Sequence, residues 1–274
     1  MWRDLLLRAA QLIVSLVGAV VLAALLATLS LHTHGFGPFI SAFSMKLLAA
    51  LKGDFGVSAA SGVPVAILIA QTCPATFILI SVAAVIALIL GTPFGVIFGV
   101  SRVARVAAPL MELTAAFPVF VAALAVLWIA AHLPYATHNS SAGHDILQAL
   151  VLRAAIVGVA GAGSVQLALR RGAERAWSAP YREGLRIMGL SPLDISLRYA
   201  VPEMGAALLR DLGQLALALL SAAVVVEWVF SRNGAAVLLL KSAMRADWNL
   251  AAALLLIFAV VGLVANFIGA AAAN

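Results

Sequence analysis

Of the charged residues that fall inside long apolar stretches of the sequence, four are candidates for chemistry: Arg153, Arg210, Asp211 and Glu227. A charge at mid-bilayer costs about 3 kcal/mol on insertion scales and as a rule faces protein or water. These four therefore mark a candidate polar pathway or gate, with snorkelling and structural ion pairing as the plain alternative. Arg210 and Asp211 sit about two turns beyond Pro202, where they would face a vestibule, and Glu227 lies near the other end of the same stretch. Glu112, near a helix end, reads as structural. The five histidines, His32, His34, His132, His138 and His144, offer imidazole to a metal ion. None of them forms an HxxxH or HxxE pair, so solvated loop histidines are the simpler reading and no metal site is expected. Bond-making patterns are missing: there is no HExxH, GxSxG or GxxxxGK[ST]. An intramembrane protease and intrinsic ATP binding are therefore not expected, nor is a bound cofactor.

The elements that must hold these residues follow from composition. Of 274 residues, 64% are hydrophobic and 10% charged, against about a quarter charged in soluble domains, and the mean hydropathy is +1.11. Such a chain is an all-α polytopic membrane protein. A hydrocarbon core of about 30 Å needs roughly 20 apolar residues per helix. Six stretches qualify: 5–31, 74–100, 109–131, 146–169, 204–230 and 249–272. The first is too long for a signal-peptide core and is kept as a span. No internal repeat or linker divides residues 1–274, so one six-helix domain is expected. Cys73 stands alone, which excludes an intramolecular disulfide. The net charge of +6 is unevenly placed. Arg3, Arg8, Arg102, Arg105, Arg170, Arg171, Arg175, Arg182, Arg186 and Arg198 lie on one side, and Lys46, Lys52, Arg232, Lys241 and Arg245 on the other. The positive-inside tendency puts both termini in the cytoplasm together with the polar insert at 178–203. Gly91, Gly95 and Gly99, four apart, make a small-residue track on one helix face. Pro118 would kink the third span.

The insert has its own punctuation. Ser178 and Pro180 are helix-start residues, and Gly189 is a natural stop for a short helix 180–188. Ser191 then caps a second turn, with Pro192 in its first position and Asp194 three residues on. Pro202 closes that turn and sends the chain sharply into the fifth span at residue 203. Leu185 and Met188 share a face flanked by Arg182, Glu183 and Arg186. Such a face suits a groove in a partner or the surface of an anionic bilayer.

The spacing Glu183-Gly184-Leu185, three residues, Gly189, nine residues, Tyr199-Ala200-Val201-Pro202 resembles the EAA loop of ABC importer permeases. Two further stretches, SGVPVAILIAQTCPATFILISVAAVIALILGTPFGVIFGVSR and VVVEWVFSRNGAAVLLLKSAMRADWN, are similar to dipeptide, oligopeptide and nickel permeases of the first-subunit type. The chain departs from them in lacking the Pro-Gly-Asp-Pro signature after the first span and the Asp-Pro-Arg-Ile tail, and in a short first loop. The resemblance implies a type I ABC importer permease in the bacterial inner membrane. Its partners would be a second homologous permease, two ATPase subunits that bind ATP and magnesium, and an extracytoplasmic binding protein. It also implies that Glu183, Gly184, Leu185, Arg186, Met188 and Gly189 meet the ATPase as a coupling helix. The cargo would be peptides or a related small polar solute, with nickel or a metal chelate as the alternative. A secondary transporter is the rival of another class, but it would typically show more spans and inverted repeats. Leu238, Leu239 and Leu240 suggest an outer scoop helix, beside which Lys241 and Arg245 are candidates for docking the binding protein.

Overall fold

The computed structural model describes residues 2–29, 36–100, 119–132 and 142–272. In chain order the helices are α1 (Trp2–Leu29), α2 (Phe36–Leu51), α3 (Val65–Val100), α4 (Val119–His132), α5 (Ala142–Ser178), α6 (Tyr181–Ile187) and α7 (Pro192–Ile195). A π turn (Ser196–Ala200) leads into α8 (Val201–Arg210), followed by α9 (Leu212–Val229), α10 (Ala235–Met244) and α11 (Trp248–Ala272). Among the described residues the only extended pairing is a bridge between Val57 and Pro64.

Among the described residues, four helical segments are long and apolar enough to cross a membrane: Val65–Pro93, Leu150–Ser178, Leu212–Val229 and Trp248–Ala272. They correspond to the second, fourth, fifth and sixth expected spans. The first expected span falls on α1, whose apolar part is Ala10–Leu25. The third begins at 109–118, outside the described residues, and ends on α4.

Several expected boundaries move. α3 starts at Val65 rather than at residue 74, because Pro74 costs one helix hydrogen bond, a loss that spanning helices tolerate. α5 runs on to Ser178 instead of stopping at residue 169. Its final turns carry Arg170, Arg171, Glu174 and Arg175, all compatible with a helix, and an Arg170–Glu174 ion pair at 2.8 Å joins one turn to the next. The segment read as a loop after the first span contains α2.

Packing is inverted relative to a water-soluble protein. Ala83, Ala87, Ala154, Ala223, Ala252 and Ala253 are fully buried, whereas Val14, Ile89 and Trp128 are 70%, 64% and 64% exposed. Hydrocarbon solvates large apolar side chains as well as a core does, so helices are held by close approach of small residues instead.

The described chain forms two compact units. One comprises Met1–Ile78 and Ala223–Val264; the other comprises Leu79–Ala222 and Ala265–Asn274. In the first, α1 lies along α2, and Ala23 packs on Ala252 and Leu256 of α11. In the second, α3 and α5 meet along a glycine seam. A Cβ at Gly91 would lie 2.7 Å from the Val165 Cβ, and one at Gly158 would lie 2.8 Å from the Ile86 Cβ.

α5 also meets α8 almost backbone to backbone. A Cβ at Gly172 would stand 2.5 Å from the Met204 Cα and 2.8 Å from the Glu203 carbonyl oxygen. Gly172→Ala must therefore push the two helices apart, at a cost of about 1–3 kcal/mol. Gly205→Ala meets nothing within 4 Å and should leave stability unchanged or raise it by up to about 1 kcal/mol. Thermal unfolding of the two purified variants in detergent checks the contrast.

Candidate functional site

The polar insert forms a helix, a stop and a second helical run. α6 begins after Pro180, which occupies the N-cap position with no side-chain cap. Ser178 does not start it as expected: its hydroxyl donates to the Arg175 carbonyl at 3.1 Å and so finishes α5. At the other end Gly189 has φ +83°, a left-handed conformation open to glycine at no steric cost. Its N–H donates to the Arg186 carbonyl at 3.0 Å and the Leu190 N–H donates to the Leu185 carbonyl at 3.2 Å, the bond pair of a Schellman stop.

Ser191 caps the next run as the spacing suggested. The Asp194 N–H donates to its Oγ at 3.2 Å, and its hydroxyl donates to the Asp194 carboxylate at 2.6 Å. Pro202 does not close the run. The Val201 N–H bonds the Ser196 carbonyl, a five-residue π step just ahead of the proline that lets the helix continue into α8. The break comes at Asp211, whose backbone (φ −95°, ψ 9°) leaves the helical region.

This geometry turns one side of the insert inward and leaves the other open. Ile195, Ser196 and Ala200 are buried. At the α6 end, Ile187 and Met188 are 82% and 77% exposed, Leu185 is half-buried, and Glu183 and Arg186 are exposed. The exposed apolar pair is thus Ile187 and Met188, not Leu185 and Met188 as helical spacing alone suggested. A Cβ on Gly184 would meet nothing within 4 Å.

Arg210 and Asp211 do not act as a pair. Arg210 reaches back along α8 to Glu203 at 3.1 Å, and Asp211 is held by Arg171 of α5 at 2.8 Å. All four side chains are about a quarter to half exposed, so each bridge adds little to stability. A cleft of about 600 Å³ opens between α5 and the α8–α9 junction, with Arg171 and Asp211 in its wall. Arg153 is buried on α5.

Glu227, 2% exposed, sits at the start of α10 within the first unit. One carboxylate oxygen accepts from the Val237 N–H at 2.9 Å, and the other accepts from the Thr76 hydroxyl at 2.6 Å. Thr76 in turn accepts from the Ala235 N–H at 2.7 Å. Two orphan donors of the α10 N-terminus are thereby satisfied by side chains from α3 and α9, with a carboxylate at the positive end of the helix dipole. Gly234 leaves the room: any Cβ there would collide with that carboxylate.

Asp247 does the same for α11. It accepts from the Leu250 N–H at 3.5 Å, from the N–H groups of Ala59 and Ala60 at 3.1 and 3.3 Å, and from the Ser58 hydroxyl. Lys46 adds a bond to Asn249 at 3.0 Å, and Asn249 donates to the Val57 carbonyl at 3.1 Å. The run Leu238, Leu239 and Leu240 lies on α10, with Leu238 and Leu239 half-buried, Lys241 partly exposed and Arg245 exposed.

Arg171, Thr76, Ser58 and the capping role of Asp247 were missed from sequence. An acid directly before an apolar run, as Asp247 stands before Trp248, is the one local signal that could have found a member of this group.

Residues 91–273, about two-thirds of the chain, match the family of binding-protein-dependent transport system inner membrane components. The chain belongs to this family, the membrane-spanning permease subunits of ABC transporters, whose partners are in general an ATPase and a binding protein. Comparison with curated proteins returned no match.

The cap on α10 makes a direct test of the buried network. Thr76→Val keeps the shape but strands the Ala235 N–H and removes the hydroxyl from which Glu227 accepts, which should cost about 1–3 kcal/mol. Thr72→Val removes only a 2.8 Å bond to the Leu68 carbonyl of its own helix and should fall within about 0.5 kcal/mol of the parent. Unfolding midpoints of the two variants in lipid nanodiscs give the comparison.

Proposed function

We propose that the chain forms half of the translocation pore of an ATP-driven importer and that residues 178–203 are its EAA-type coupling loop. Six spans with both termini in the cytoplasm put this loop on the ATPase side. Glu183, Gly184, Leu185, Arg186, Met188 and Gly189 then meet a cleft in the ATPase. The reading rests above all on one observation: Ile187 and Met188 are left almost fully exposed at the tip of a helix that is stopped by a Schellman motif and followed at once by a capped run. A water-facing helix end has no reason to hold two large apolar side chains outward, whereas a groove in a partner subunit would bury both. The cargo is a peptide or a related small polar solute delivered by a binding protein. Arg153, Arg210, Asp211 and Glu227 are the candidates for a pathway or gate, and a second homologous permease completes the pore.

Gly184→Trp tests the loop, because open space around residue 184 lets the fold accept the indole while the ATPase cleft cannot. Membrane abundance should stay at the parental level. Recovery of the ATPase subunits on co-purification should fall at least about tenfold, the effect of losing roughly 1.4 kcal/mol of binding free energy. Parental recovery together with normal ATP-driven uptake would overturn the assignment.

The α10 region carries a second expectation. Lys241 in the last turn of α10 and Arg245 at its C-cap would carry their charge on the extracytoplasmic side, where an acidic patch of the binding protein would meet them. Lys241→Glu combined with Arg245→Glu should weaken binding-protein affinity for the reconstituted transporter, more at low than at high ionic strength. Equal affinity to the parent at both ionic strengths rules charge steering out.

A further inference from the structure

We propose that the cleft between α5 and the α8–α9 junction is a water-filled wall of the solute path, and that the Arg171–Asp211 ion pair is the latch that closes it. The proposal rests on the permease reading and names the surface along which a polar cargo moves.

Four leucines, Leu167, Leu208, Leu215 and Leu217, line the cleft together with two stripes that carry its polar groups. On α5 the stripe is Ser164, Ala168 and Arg171; at the junction and along α9 it is Asp211, Gln214, Ala218 and Ser221. These positions repeat at three and four residues, so each set lies on a single helix face. Among the described residues, neither the Gln214 carboxamide nor the Ser164 hydroxyl has a hydrogen-bond partner, while Ser221 turns back to the Leu217 carbonyl at 2.8 Å. An acyl chain could satisfy neither free group, and leaving such a group unpaired in hydrocarbon costs several kcal/mol. Water, or a solute carrying its own donors and acceptors, satisfies both. The alanines between the polar positions keep the wall low enough to admit it.

The latch follows from where the helix breaks. From Pro192 to Arg210 the chain is one continuous helical run, carried through the π turn, so a displacement of the polar insert passes into α8 undiminished. Asp211 is the first joint on that path. Arg171 reaches across it at 2.8 Å from the residue next to Gly172, where a Cβ would meet the backbone of α8. Rotation of α8 about the joint separates the two charges and opens the cleft between them.

Because Cys73 is the only native cysteine, a Cys73→Ala background permits single cysteines at Ser164, Gln214 or Ser221, with lipid-facing controls at Val159 and Ile89, which are 51% and 64% exposed. Membranes containing the assembled transporter are treated with a charged, membrane-impermeant methanethiosulfonate. Thiolate forms readily only in contact with water, so the three cleft positions should react at least about tenfold faster than the controls, the factor equivalent to one unit of thiol pKa. Arg171→Ala or Asp211→Asn should raise the cleft rates further without ATP, and the exchanged pair Arg171→Asp with Asp211→Arg should bring them back toward the parent. Cleft rates equal to the controls, with reaction only toward a lipid-soluble maleimide, mean that an acyl chain fills the cleft and overturn the proposal. Unchanged rates in both single latch variants overturn the latch. Labelling requires no transport, so either failure is distinct from a failure of ATP-driven uptake, which would instead count against the permease reading.

Discussion

In a chain surrounded by hydrocarbon, every place where a helix stops must find its hydrogen bonds inside the protein. That constraint explains most of the irregular features of this molecule. The helices that cross need no outside help, because each peptide group is paired within its own segment. Their ends do need it. The N-terminus of α10 takes Thr76 and Glu227, and the N-terminus of α11 takes Asp247; α6, in the polar insert, is closed by the backbone of Gly189 and Leu190 alone. Even the π turn before Pro202 is a way of carrying a helix past a residue with no N–H to give.

The same rule separates the two kinds of charge in the molecule. Glu227 and Asp247 are buried because each is surrounded by donors, and a carboxylate that accepts several hydrogen bonds at a helix N-terminus can be held out of water. Arg171, Asp211, Glu203 and Arg210 are partly exposed and paired, an arrangement that adds little stability and is easily exchanged for water. Charges of the first kind fix the structure; those of the second are free to change partners.

How much of this the sequence discloses depends on the distance between partners. Signals within a few residues are plain: Gly189 as a stop, Ser191 with Asp194 as a cap, and apolar runs for the four crossing segments among the described residues. At the end of α5 and the start of α3, polarity and proline look like terminators in the sequence, yet arginine and glutamate continue a helix readily and a spanning helix accepts a proline. The break at Asp211 was placed at Pro202 for a related reason, since the π step has no compositional mark. Contacts at long separation left no trace. Arg171 and Asp211 are 40 positions apart, and Thr76 and Glu227 are 151 apart. The charges within the spans were found by their rarity, but not their partners, because periodicity describes one helix at a time.

The reach from Glu227 to Thr76 also bears on how the protein is made. A translating ribosome delivers α3 long before α9, so the Thr76 hydroxyl already lies in the membrane when Glu227 emerges. The other cap partners come later: Ala235 and Val237 follow Glu227 by only eight and ten residues. When Glu227 emerges, the two backbone donors of the α10 cap have still to follow it. The Glu227 end of α9 and the first turn of α10 thus complete one another, over a threonine that α3 has already put in place.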